Sequence, residues 1–190
     1  DGGAPTQIEP WPGVAGAEVP AEFAIRGFHA VALSVPRLDR VEPILTRVLN
    51  FTQSWRGPSP DNAAEELIVY SMDGGGPGKE VYVTVQPDAP RAWLGRGGVH
   101  HVAFRLTDDT EQAAWSSYLL QAGVRHSGII DRFYFKSLYF RISNGILFEL
   151  ATDGPGFASD EDPAHLGEAL ALPPFLEGQR ASIEAGLRPI

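Results

Sequence analysis

One stretch of this chain occurs twice, and that repeat limits the available folds more than any other feature. Gly27-Phe28-His29-Ala30-Val31-Ala32-Leu33 superposes on Gly98-Val99-His100-His101-Val102-Ala103-Phe104. The apolar patterning around each copy follows the same order. From Ala24, the residues Ile25, Phe28, Val31 and Leu33 make a strand pattern that closes at Val35-Pro36. Val41, Leu45, Val48 and Leu49 then predict a helix over 38–49, with Pro43 near its first turn. Strands are expected over 51–56, 66–72 and 80–86, separated by turn-rich segments such as Gly74-Gly75-Gly76-Pro77-Gly78. In the second copy a strand is expected over 98–106. A helix capped by Asp108 or Asp109 follows, running to Gln121 with Trp115, Leu119 and Ala122 on one face and Gly123 as its stop. Strands over 126–130, 133–142 and 145–151 complete the copy, the last two joined by a Ser143-Asn144-Gly145 turn. Each copy reads βαβββ, and neither buries both faces of its sheet alone. The expected fold is therefore α+β: two tandem βαβββ modules, 23–92 and 93–153, forming a curved mixed sheet. Residues 1–22 read as a Gly/Pro-rich linker or disordered arm. Residues 154–190 read as a helical tail for packing or as a lid. Within it, helices are expected over 164–170 and 175–185, with Leu172-Pro173-Pro174 between them.

Composition narrows the functions. Hydrophobic residues are 43% of the 190, enough for a core. The net charge is −9 and the sequence pI is about 4.9. Such a surface argues against nucleic acid and against an anionic membrane. The chain has 0 cysteines, so disulfides, thiolate catalysis and zinc–cysteine sites are excluded. No apolar run approaches a membrane span, and the start is neither basic nor apolar enough for a signal peptide. The cytoplasm is the expected compartment. The chain opens on Asp1 rather than Met, which suggests a processed product or a fragment.

Three features of the second module carry chemistry. They are the pair His100-His101, the run from Asp131-Arg132-Phe133 to Tyr139-Phe140-Arg141, and Glu149 between Phe148 and Leu150. A carboxylate so flanked is expected to be at least half buried, and a buried charge needs a partner. That partner is either a metal ion or an arginine, and Arg105, Arg132 and Arg141 are all available. Strand alternation would send the rings of His100 and His101 to opposite faces, so one at most enters any given site. Histidine with carboxylate suits Fe(II) and Mn(II) and needs no thiolate. Phe133, Phe135, Trp115 and Phe148 could line a pocket or simply fill the core.

The duplicated βαβββ order, Gly98-Val99-His100-His101-Val102-Ala103-Phe104-Arg105 and Gly145-Ile146-Leu147-Phe148-Glu149-Leu150-Ala151-Thr152-Asp153 resemble the glyoxalase, bleomycin-resistance and extradiol-dioxygenase superfamily, the vicinal oxygen chelate fold. Asp131-Arg132-Phe133-Tyr134-Phe135 with Tyr139-Phe140-Arg141, Asp153-Gly154-Pro155-Gly156-Phe157 and Leu172-Pro173-Pro174 look more closely like the C-terminal half of dioxygenases that cleave hydroquinone rings. The resemblance implies one Fe(II), or Mn(II), held by two histidines and one glutamate. It makes His101 and Glu149 ligands, with His100 behind them or facing substrate. It places Arg132 and Tyr139 against the aromatic substrate and its oxygen adducts. In those enzymes the other histidine comes from an N-terminal half that is not among these residues. The equivalent position in the first module here is Ala30, because His29 superposes on His100; His126 and His165 are weaker candidates. The third ligand would then come from a second copy in a homodimer or from a missing half, unless the site is vestigial. The implied function is ring-cleaving dioxygenation of hydroquinone- or catechol-like aromatics with dioxygen. The alternatives are a glyoxalase-like lyase or isomerase, and a non-catalytic small-molecule-binding module.

Overall fold

The computed structural model describes residues 19–90, 93–142 and 145–188. The arm expected over 1–22 lies mostly outside them, as do Ser143 and Asn144 of the expected turn. The chain divides into two compact units. One comprises Asp1–Val102 with Ile142–Ile146, and the other Ala103–Arg141 with Leu147–Ile190.

The first unit holds β1 (Ala30–Val35), β2 (Thr52–Pro58), β3 (Glu66–Ser71) and β4 (Glu80–Val85) in the order β1-β4-β3-β2. β1 pairs parallel with β4, while β3 runs antiparallel to both β4 and β2, so the sheet is mixed. Alternation buries Leu33, Val35, Ile68, Tyr70, Val81 and Val83. The parallel pairing requires a crossover, and a helical segment supplies its cover. Val41, Leu45 and Val48 of that segment are buried as the sequence predicts. Its regular part is shorter than the helix expected over 38–49: residues 42–43 are α-helical and run into a π-type turn, Ile44–Val48. Leu49 N donates to Ile44 O, and Asn50, at φ 59°, ends the turn. Burying a Val or Leu side chain contributes roughly 1.5–3 kcal/mol, so these few contacts outweigh the shortness of the helix.

The second sheet is built from β5 (Val102–Leu106), β6 (His126–Asp131), β7 (Lys136–Arg141) and β8 (Leu147–Thr152), in the order β5-β8-β7-β6. The two sheets thus repeat one strand order, as the sequence repeat requires. Helix α1 (Asp109–Gln121) starts where expected. The Asp108 side chain accepts from Glu111 N at 2.8 Å, and Glu111 Oε2 accepts from Thr107 N at 2.7 Å. These reciprocal bonds satisfy amides that have no partner inside the helix. Gly123, at φ 75°, stops the helix. The buried face differs from expectation: Leu119 is buried but Ala122 is exposed, and Gln112 is buried instead. Gln112 Nε2 donates to Lys136 O (3.0 Å) and Leu150 O (3.1 Å), tying α1 to both β7 and β8. Leu106, Val124, Leu138, Phe140, Phe148 and Leu150 complete this core.

Several boundaries are corrected. β1 begins at Ala30, not Ala24, and Ile25 and Phe28 are 79% and 90% exposed. β5 begins at Val102, because Gly97 at φ 85° and a Gly98 N to Gly95 O bond make a turn where a strand was expected. β7 begins at Lys136, because Arg132–Phe135 form the hairpin connection. The helix expected over 164–170 reduces to one 3-10 turn, Pro163–His165, with Gly167 at φ 81° just beyond. The last expected helix is a 3-10 segment, Pro174–Gln179, followed by α2 (Arg180–Gly186). No helix among the described residues is long and apolar enough to cross a membrane.

Candidate functional site

β7 and β8 position the chemistry. Their register pairs Tyr139 with Glu149 and Ser137 with Ala151, while Leu138 pairs with Leu150 and Phe140 with Phe148. Since side chains alternate, the second set forms one face and the first set the other. The apolar face is core: Phe148 stands edge-on to both Phe104 (5.1 Å) and Phe140 (5.8 Å). Phe148 is therefore core, whereas Phe133 is 37% exposed.

Glu149 is on the other face, yet it is only 2% exposed. The fully buried Ser137 hydroxyl donates to Glu149 Oε1. A charge-assisted bond of this kind offsets part of the cost of holding a carboxylate away from water. Ser137 lies in the run from Asp131 to Arg141, and nothing in the sequence marks it as a partner of Glu149. Its spacing of two from Tyr139 places both on one face; only the register shows that this face is Glu149's. Of the arginines weighed as partners for Glu149, Arg105 pairs with Asp153 at 3.1 Å. Arg132 instead lies over the Tyr139 ring, its guanidinium carbon 5.2 Å from the centroid.

A bulge in β6 adjusts Tyr139. The β6–β7 register shifts between His126 and Ile129, with Gly128 at φ 77°. The Ser127 hydroxyl accepts from Tyr139 N at 3.0 Å and donates to Gly128 O at 2.6 Å. His126 locks the bulge: its Nδ1 accepts from Gly128 N at 3.0 Å, and its Nε2 is 3.0 Å from Ser116 O. Both nitrogens of His126 thus serve the backbone. Bulges commonly re-aim side chains beside functional sites.

The histidine pair departs from the expected alternation. His100 and His101 precede β5, so strand geometry does not govern them. Their rings meet edge to face at 5.2 Å, with Nδ1 atoms 2.9 Å apart. Both fall in the first unit, whereas Arg132, Tyr139 and Glu149 fall in the second. The boundary lies inside β5, between Val102 and Ala103. The other histidines are engaged locally. His29 Nε2 is 3.7 Å from Glu80, which also accepts from Tyr82 and Gly76 N. His165 pairs with Glu168 at 3.0 Å. Among the described residues no three His, Cys, Asp or Glu side chains gather as a metal cluster. A cleft of about 530 Å³ opens in the first unit between Asn50, Ser54, Ser71 and Asp73, and none of its lining residues belongs to the candidate set.

Relatives place these features in a family. The sequence model of the Glyoxalase/Bleomycin resistance protein/Dioxygenase superfamily matches residues 27–157. The chain belongs to this superfamily. It is 45% identical over 172 residues to a Bacillus subtilis (strain 168) protein named as ring-cleaving dioxygenase MhqA, covering 90% of this chain and 54% of that one. It is 34% identical over 180 residues to the chlorohydroquinone/hydroquinone 1,2-dioxygenase of Sphingobium indicum, covering 90% and 51%. A crystal structure titled as a dioxygenase of Bacillus subtilis superposes with a TM-score of 0.79 at 35% identity, over 90% of this chain and 53% of that one. The chain spans about half the length of the relatives it matches. The family membership agrees with the resemblance carried by the His100-His101 and Glu149 segments, and the element order with the sequence repeat.

Proposed function

We propose that this chain forms part of a metal-dependent ring-cleaving dioxygenase acting on hydroquinone- or catechol-like aromatics. The observation that supports this reading is the buried Glu149 carboxylate. Ser137 occupies one of its oxygens, and Tyr139 stands opposite it with Arg132 over the Tyr139 ring. The relative named as a chlorohydroquinone/hydroquinone 1,2-dioxygenase supplies the substrate class. In this reading Glu149 and His101 are the chain's donors to one Fe(II) or Mn(II) ion, whose preference for carboxylate oxygen and imidazole nitrogen they match in kind. They do not match it in number, since two donors fall short of three and no three His, Cys, Asp or Glu side chains gather as a metal cluster among the described residues. The third comes from a second copy of the chain or from the half of the relatives' length that the chain does not span. When bound, such an ion lowers the pKa of a phenol and supplies redox chemistry towards dioxygen.

The chain's own residues then orient and protonate. Arg132 holds a phenolate oxygen by charge-assisted hydrogen bonds, trading its contact with the Tyr139 ring for the ligand. Tyr139 donates its hydroxyl hydrogen to negative charge on an oxygen and can transfer that proton. His100, beside His101, faces the substrate.

The test is oxygen consumption after adding hydroquinone to the Fe(II)-loaded chain. It is run alone and mixed with the half of MhqA that this chain does not cover. Little uptake is expected alone and marked uptake in the mixture, abolished by Glu149→Gln. Uptake that survives Glu149→Gln overturns the ligand assignment. Hydroquinone binding without uptake in either sample overturns the dioxygenase reading in favour of a binding module.

A further inference from the structure

Arg132 is carried by a hairpin whose position is set by a segment that comes after the sheet is complete. The hairpin closes through Arg132 N donating to Phe135 O at 2.8 Å and Phe133 N donating to the Asp131 side chain at 2.7 Å. Phe133 sits at φ 72°, in the left-handed region that costs a non-glycine residue backbone energy. Such a turn does not hold itself, and needs outside contacts to over-determine it. Tyr134, at its tip, makes those contacts. Its carbonyl accepts from Gly156 N at 2.8 Å. Its hydroxyl donates to Asp160 Oδ2 at 3.0 Å. Its ring stacks on Phe157 at 5.2 Å and 29°, and Phe133 stands edge-on to it at 4.9 Å. Backbone, hydroxyl and ring thus all tie one residue to the segment following β8.

The geometry points to Tyr134 as a positioning residue that acts through Arg132. By clasping residues 156–160 it fixes the hairpin, and the hairpin fixes where the Arg132 guanidinium presents its charge over Tyr139. This rests on the functional reading above for its consequence, but not for its geometry. Desolvation and the Asp160 hydrogen bond hold the Tyr134 phenol above its ordinary titration range. An aromatic clasp suits this role better than an aliphatic one. It adds a directional hydroxyl bond to a stacked contact, so the hairpin is fixed in angle as well as in distance. The segment after β8 therefore helps set substrate orientation in this unit, although it contributes no candidate donor of its own.

The test uses the 190-residue chain with Tyr134→Ala, Tyr134→Phe and Asp160→Ala. The first readout is the Arg132 Nε–H resonance, which the Tyr139 ring current should displace. Tyr134→Ala is expected to abolish that displacement and to speed exchange of the Arg132 amide by about tenfold or more. Tyr134→Phe and Asp160→Ala keep the stack and are expected to fall between, which preserves the test if the alanine variant misfolds. An undisturbed Arg132 signal in all the folded variants overturns the inference. The second readout is hydroquinone affinity of the anaerobic Mn(II)-loaded chain by calorimetry. Tyr134→Ala should weaken it about five- to tenfold, and Arg132→Ala should add little on top, because coupled residues are not additive. Fully additive losses overturn the claim that Tyr134 acts through Arg132. If neither the unmodified chain nor its mixture with the complementary half binds hydroquinone, the functional reading falls, and the Arg132 resonance alone decides the positioning claim.

Discussion

Replacing Ser137 by alanine tests how the buried carboxylate is held. Ser137 and Glu149 are 0% and 2% exposed, and the hydroxyl donates to Glu149 Oε1. The variant removes one donor from a buried charge without adding bulk. A hydrogen bond to a charged group is worth about 1.5–3 kcal/mol when the partner is left behind. For a chain of this length, roughly 2–4 °C of Tm corresponds to each kcal/mol. Ser137→Ala should therefore melt about 3–12 °C below the parent in the absence of metal. Glu149→Gln should behave oppositely. It removes the buried charge itself, so metal-free stability should stay level or rise by about 1 kcal/mol. The two variants converge again on metal. Glu149→Gln should cost at least tenfold in Mn(II) affinity, and Ser137→Ala about tenfold, because a residue that orients a ligand matters nearly as much as the ligand. Differential scanning calorimetry and Mn(II) titration followed by electron paramagnetic resonance measure both. A Ser137→Ala chain that melts within about 1 °C of the parent and binds Mn(II) equally well would refute the reasoning.

Two further outcomes follow from α1. Gln112→Leu leaves Lys136 O and Leu150 O without their donor but also removes an Oε1 that has no partner among the described residues. A net loss of roughly 1–2 kcal/mol is expected in urea denaturation, and an unchanged midpoint would mean that the tether contributes nothing. Glu111 is held below the ordinary carboxylate range, chiefly because Thr107 N donates to it. Its contribution to stability is thus present above the unfolded-state value of about 4.3 and is lost as pH falls through the lower folded value. Glu111→Gln should flatten the stability–pH profile in that acidic window alone; parallel profiles for the two chains would count against the cap.

The site was legible in the sequence to an uneven degree. Glu149 could be picked out because a carboxylate between Phe148 and Leu150 must be partnered if buried. The bulge residues Ser127 and Gly128 and the role of Ser137 could not, because each depends on which residue lies opposite on a neighbouring strand. The expected split of His100 and His101 to opposite faces failed for a local reason. Alternation holds only inside a strand, and the turn at Gly97 and Gly98 delays β5 until Val102.

The sequence by itself determined the duplicated βαβββ element order, the placement of α1 between Asp108 and Gly123, and the apolar face Val41, Leu45 and Val48 of the first unit's helical segment. These follow from periodicity, caps and composition, which are properties of neighbours along the chain. Tertiary structure alone decided that Gln112 rather than Ala122 is buried, that Ser137 caps Glu149, and that Tyr134 anchors the hairpin bearing Arg132. Those outcomes depend on register and on contacts between residues far apart in the chain, where a shift of one position reverses every face.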